Sequence, residues 1–173
     1  ILVFAGTAMY HLPFHYKLNT NPDIIPSADQ VRFYRGAVDT ITGHLARDTS
    51  PRVLAFLTGI PDYFNSRTLT YYLHKRGARH VIVQDLHFEN EPSESISAIL
   101  HSDYVIAFTR DYPELAWYLP STHIQNQVRA FIDTDSNFSL VTTVENYVHG
   151  GAILLFRHDG PRRDQSPLIS TVP

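Results

Sequence analysis

Apolar positions in this chain alternate between short continuous runs and stripes at helical spacing. Residues 53–58 (Val, Leu, Ala, Phe, Leu, Thr) form a run of strand formers closed by Gly59, Ile60, Pro61 and Asp62. Leu69, Tyr72 and Leu73 then recur at helical intervals as far as Lys75, Arg76 and Gly77. Two cations followed by a glycine mark a helix C-terminus, because the cations suit the negative end of the helix dipole and glycine accepts a left-handed backbone. Residues 80–85 (His, Val, Ile, Val, Gln, Asp) are the next strand. Strand, helix and strand joined by short turns predict a βαβ crossover, which requires parallel strands and a covering helix.

Ahead of this unit, Ser27 to Gln30 has the form of a capping box. Val31, Tyr34, Val38, Ile41 and Leu45 make one stripe of a helix reaching about Arg47, with Arg32, Arg35 and Asp39 off the stripe on a solvated face. Behind it, a loop over 86–92 precedes Ser93, a candidate cap for a short helix with Ile96, Ile99 and Leu100 inward. Residues 103–109 predict a third strand, and residues 115–118 a helical turn ending at Pro120. Ser121 would cap a helix with Ile124, Val128 and Phe131 inward. Residues 138–144 and 152–156 are two strands joined through Gly150 and Gly151, a hairpin. The expected fold is α/β: a three-layer, Rossmann-like, mainly parallel sheet with a C-terminal antiparallel hairpin at one edge. Residues 1–26 read as an apolar start and irregular aromatic lead-in, 27–157 as the α/β domain and 158–173 as a polar tail.

Composition narrows the chemistry. A chain of 173 residues with 43% hydrophobic content suffices for one domain with a substantial core. A net charge of −3 without a Lys/Arg run excludes a basic field for nucleic acid. The lack of cysteine excludes disulfides, thiolate metal sites and a cysteine nucleophile. His11 and His15 stand four apart, but Pro13 between them opposes a regular helix and no zinc-protease carboxylate accompanies them; no metal site is expected. Residues 1–9 are apolar and too short to span a bilayer, reading either as a buried strand or as the stump of a transmembrane helix. Starting at Ile1, the chain is expected to be a processed, truncated or excised piece.

In open parallel sheets ligands bind beyond the carboxyl ends of the strands. The loops there offer Asp62, Tyr63 and Asn65; Asp85, His87 and Glu89; and Arg110, Asp111 and Glu114. Asp62, Tyr63, Asn65, Asp85, His87, Arg110 and Asp111 are therefore the ligand-binding candidates, although Asp62, Asn65 and Asp111 equally suit helix capping. No glycine-rich dinucleotide loop, Walker loop or nucleophile elbow is present, so no cofactor and no catalytic residue is assigned. The ten tyrosines and ten phenylalanines suit an aromatic core first and sugar stacking second. Asn137, Phe138 and Ser139 match a glycosylation sequon, a pattern frequent by chance.

The order of features resembles the C-terminal extracytoplasmic domain of polytopic membrane glycosyltransferases that use polyprenyl-phosphate sugars. The resemblance lies in the apolar 1–9, the aromatic, proline-containing 10–16, and a domain from Ser27. It continues in residues 64–73, where asparagine precedes leucines and tyrosines, and in residues 103–106 and 151–157. It implies a non-catalytic accessory domain on the periplasmic or extracellular side of a membrane, assisting acceptor or glycan binding. Its partners would be the membrane-embedded portion of its own chain and a glycan or lipid-linked sugar. The family's catalytic carboxylates lie between transmembrane helices, so none transfers to this sequence. A free-standing, cytoplasmic Rossmann-like transferase for methyl or glycosyl groups is the alternative, with residues 1–5 as first strand and Asp85 at a ribose. The missing glycine loop counts against it, and a protein-interaction domain is a further alternative.

Overall fold

The computed structural model describes residues 28–56, 64–86, 89–110, 123–147 and 150–161. Helix α1 (Ala28–Leu45) buries Tyr34, Val38, Ile41 and Leu45, four of the five stripe positions; Val31, the fifth, is half-buried. The off-stripe charges behave as surface groups. Arg32 and Asp29 form an exposed pair at 3.8 Å, and Asp39 pairs with Arg76 of the next helix end.

Strand β1 (Arg52–Phe56), helix α2 (Ser66–Lys75) and strand β2 (Val81–Asp85) complete the crossover, with β1 and β2 parallel. Helix α2 stops where the sequence calls for it: Gly77 has φ +78°, the left-handed conformation that costs glycine little. Arg76, just before it, donates from Nε to Thr42 Oγ1 at 3.2 Å and so ties the end of α2 to α1. Helix α3 (Pro92–Leu100) begins two residues earlier than expected. Its cap is Glu91 and not Ser93, because Pro92 takes the first helical position, where its fixed φ fits and its missing N–H is no loss. Ile99 is its fully buried contact.

Strand β3 (Tyr104–Phe108) pairs parallel with β1, on the side away from β2. Helix α4 (Gln125–Thr134) inserts Val128 and Ile132, with Phe131 half-buried. Ser121, expected to cap it, lies outside the described residues; Ile124 occupies the cap without a side-chain bond. Strands β4 (Phe138–Glu145) and β5 (Ala152–His158) form the antiparallel hairpin.

The sheet order is β2-β1-β3-β5-β4. The two pairings among β1, β2 and β3 are parallel and the two made by β5 are antiparallel, so the sheet is mixed rather than mainly parallel. The hairpin does occupy one edge. Its second strand, β5, turns back between β3 and β4 and buries five consecutive residues, Ala152 to Phe156. Helices cover both faces. Residues of α1 and α2 pack with Leu54, Val81, Ile106, Phe108, Ile153 and Leu155, while α3 and α4 pack with Ala55, Val105, Ala107, Leu154 and Phe156. That odd–even division is the strand period of two expressed as two cores.

The chain does not loosen at the expected boundary after residue 157. His158 N–H donates to the Asp103 carbonyl at 2.8 Å and Asp159 N–H to the Asn137 carbonyl at 2.7 Å, so residues up to Asp159 stay attached to the sheet. The lead-in 1–26, the histidine pair within it and the helical turn at 115–118 lie outside the described residues. No helix among the described residues is long and apolar enough to cross a membrane.

Candidate functional site

The carboxyl ends of β1, β2 and β3 open on one edge of the sheet. Asn65 stands at the N-terminus of α2 with extended backbone, and its Oδ1 accepts from Thr68 N–H at 2.9 Å and Thr68 Oγ1 at 3.1 Å. This is the capping role its residue type allows. Asp85 ends β2 and accepts from Ser66 Oγ at 2.5 Å, closing the β1–α2–β2 unit across its mouth. Two of the seven candidates are thus brought side by side and given structural bonds.

Arg110 lies at the end of β3. With β1 between, β2 and β3 are about 10 Å apart, so Arg110 does not share a contact surface with Asp85 by strand position alone. Its carbonyl accepts from Gln125 Nε2 at 2.8 Å, and Arg129 Nη1 reaches the Phe108 carbonyl at 3.4 Å, which pins α4 to the end of β3. Asp62, Tyr63, His87 and Asp111 lie outside the described residues.

The β4–β5 turn forms the other flank. Gly150 and Gly151 have φ +77° and +74°. A Cβ on Gly151 would stand 2.8 Å from Thr109 Oγ1 and 3.0 Å from Arg110 Cβ, so the turn can approach β3 only without a side chain. Thr109 uses that closeness: its N–H donates to the Ala152 carbonyl at 2.9 Å and its Oγ1 accepts from Ala152 N–H at 2.7 Å. Asn146, also in this turn, is buried and donates from Nδ2 to Tyr34 Oη at 3.2 Å. Behind it an aromatic chain runs Tyr34, Phe64, Phe108, with centroids 6.4 and 5.8 Å apart. Tyr147 packs edge-on against Phe33 at 4.7 Å yet is 71% exposed, and on the β3 side the exposed Arg110 lies against Gly150 and Gly151. Most of the aromatics described here are core, as their abundance predicts; Tyr147 is an exception that only the turn geometry reveals. A double glycine between two strands was the available signal.

A second polar cluster, unanticipated from sequence, occupies the opposite edge, around a cleft of about 290 Å³ lined by Asp48, Arg52, Asp103, Tyr104, Arg157, His158 and Asp159. Arg52 donates to Asp48 at 2.6 Å and to Asp103 at 3.2 Å; Arg157 donates to Asp159 at 2.6 Å, and Ser139 Oγ donates to the same carboxylate at 2.7 Å. The Ser50 hydroxyl and N–H, then Arg52, hold the Asp48 carboxyl far below the usual carboxylate range, and Arg157 with Ser139 lowers that of Asp159. Burial raises the Tyr104 phenol. Every one of these charges has an opposite neighbour, so the cluster clamps strand ends together.

The sign of its pH dependence follows. Carboxyls depressed in the folded state contribute stability that is complete above their ordinary 3.8 and drains away as pH falls below it. The melting temperature of the protein should therefore fall on acidification below about pH 4, and Asp159→Asn should flatten part of that fall. A thermal melt series from pH 7 to about pH 2 checks it; an unchanged acid slope in the variant would refute the assignment.

Among the described residues no group of three His, Asp or Glu is placed to hold a metal. Comparison with protein-family models, curated proteins and solved structures finds no match to this chain.

Proposed function

We propose that this is a non-catalytic accessory domain of a membrane-bound glycosyltransferase, binding or positioning a glycan or lipid-linked sugar on the extracytoplasmic side. Its partner in that reading is the membrane-embedded portion of the same protein. The observation that supports it most is the state of the mouth. Asn65 and Asp85, two of the described polar candidates, are hydrogen-bonded within the β1–α2–β2 unit, and Tyr147, just past the end of β4 and ahead of the paired glycines, is an exposed ring packed edge-on against Phe33. An exposed aromatic ring is a usual means of holding a sugar face. Of the sequence segments that resemble the family's domains, residues 64–73, 103–106 and 151–157 fall on α2, β3 and β5.

Ligand-induced stabilisation tests the reading. A short-chain polyprenyl-phosphate sugar or a soluble glycan at a hundredfold over its dissociation constant should stabilise the domain by about 2.7 kcal/mol. Tyr147→Ala should abolish the shift without changing the melting temperature of the unliganded protein by more than a few degrees, since Tyr147 is mostly exposed. A comparable shift with S-adenosylmethionine or a nucleotide sugar would overturn the proposal.

One observation favours the alternative transferase reading. The order β2-β1-β3 places β2 and β3 on opposite sides of β1, with helices on both faces. We read this parallel part as Rossmann-like, and the break between β1 and β3 is where such sheets receive nucleotides.

A further inference from the structure

The two edges of the sheet are not alike. Strand β4 carries a bulge between Leu140 and Thr142, a device that bends an edge away from pairing. Strand β2 has no bulge in its register with β1, and Val81, Ile82, Val83 and Gln84 include neither lysine nor proline. Arg52 N–H donates to the His80 carbonyl at 3.0 Å, so His80 and, at the strand period, Ile82 and Gln84 turn their backbone toward β1. Val83 therefore directs its N–H and C=O outward, where no described strand pairs with them.

Alongside this edge lies an open cleft of about 550 Å³, lined by Gln84 and Leu86 from β2 and its end, by Glu89, and by Ser93, Glu94, Ser97, Ala98 and His101 of α3 and its C-terminal cap. Ile82, on the same face as Ala55 and α3, is 64% exposed, because α3 packs over the middle of the sheet and stops short of β2. The cleft thus has a mostly polar lining and a helical wall, and it adjoins the outward backbone of Val83 and the exposed Ile82. Its charge is one-sided. Glu89 and Glu94 both line the cleft, the nearness of the Glu94 carboxyl raises that of Glu89, and neither has an ion-pair partner among those described.

We propose that this edge is a peptide-binding site that adds an extended, lysine- or arginine-bearing segment of a partner protein as a sixth strand beside β2. The segment would exchange main-chain hydrogen bonds with Val83, lay an apolar side chain on Ile82, and place its cation by Glu89 and Glu94. Strand addition at an open edge with a helix-walled groove is a recurring mode of peptide recognition, in which the backbone supplies affinity and the pockets specificity. The site does not rest on the sugar-binding proposal and uses other residues.

The test is fluorescence anisotropy on the full chain with three labelled peptides that alternate threonine and valine. One has lysines at its centre, the second glutamates, and the third is the lysine peptide N-methylated at alternate amides. The lysine peptide should bind about tenfold or more tightly than the glutamate one, and N-methylation should weaken it to a similar degree. Joint replacement of Glu89→Gln and Glu94→Gln should erase most of the preference for lysine. Val83→Pro, which removes the outward N–H, should abolish binding; circular dichroism establishes whether that variant folds, and the methylated peptide carries the same test if it does not. Equal binding of the lysine and glutamate peptides, indifference to methylation, or absence of binding would overturn the proposal. So would a concentration-dependent dimer in sedimentation velocity that excludes the lysine peptide, since the edge would then serve a second copy.

Discussion

Phe64→Ala is expected to lower the free energy of unfolding by about 3–5 kcal/mol, the range for emptying an aromatic core position. Phe64 is fully buried, meets Phe108 edge-on at 5.8 Å and stands 6.4 Å from Tyr34. It immediately precedes Asn65, so the same ring that fills the core between α1 and the sheet also seats the start of α2. The cavity left by alanine cannot be closed by one neighbour, because the rings against it come from α1 and β3, two elements anchored separately. Phe64→Leu, which retains most of the volume, should cost less than half as much. Urea denaturation read by tryptophan fluorescence and circular dichroism gives both values; equal costs for the two variants would show that the site collapses freely and that Phe64 is not a keystone of this layer.

The second large effect is expected at the opposite edge. Asp103 is 8% exposed and joins three strands: Oδ2 accepts from Val53 N–H at 2.7 Å, Oδ1 accepts from Arg52 at 3.2 Å, and its carbonyl accepts from His158 N–H at 2.8 Å. Asp103→Ala leaves the Val53 amide without its acceptor, about 1–3 kcal/mol for a buried group. It also removes one of two carboxylates from Arg52, whose side chain is 30% exposed and so partly screened, about 1 kcal/mol more. The total is about 2–4 kcal/mol. Asp103→Asn keeps an acceptor and should retain roughly half of that, the charge-assisted part being lost. A loss below about 1 kcal/mol for the alanine variant would mean that water replaces the carboxylate and that the cluster is ornamental to stability.

Local pattern carried much of this structure. The stripe from Tyr34 to Leu45, the Lys75-Arg76-Gly77 stop and the βαβ unit are short-range consequences of side-chain period and backbone preference, and they lie in the structure within a few residues of where the pattern puts them. The hairpin was legible for the same reason, through Gly150 and Gly151. Even the place of β5 had a signal in its unbroken apolar run, the mark of a strand covered on both faces, against the mixed polarity of β4 at the edge.

Pairings across long separations were not legible. Arg52 meets Asp103 and Tyr34 meets Asn146, partners separated by 51 and 112 residues, and nothing in either local sequence names the other. Nor could residue type distinguish an asparagine that caps a helix from one that receives a ligand. Asn65 and Asp85 satisfied both descriptions until Thr68 and Ser66 were seen to occupy them.

By itself, then, the amino-acid sequence determined the elements, their order and the α/β class, because period, turn chemistry and capping act within a few residues. Tertiary structure alone decided that the sheet is mixed, that Arg110 lies against the paired glycines, that a charged clamp closes one end, and that among the described residues no strand pairs with the outer edge of β2. Those outcomes depend on which strands pair and which faces the helices reach. That choice is made by the summed burial of both cores, not by any one segment.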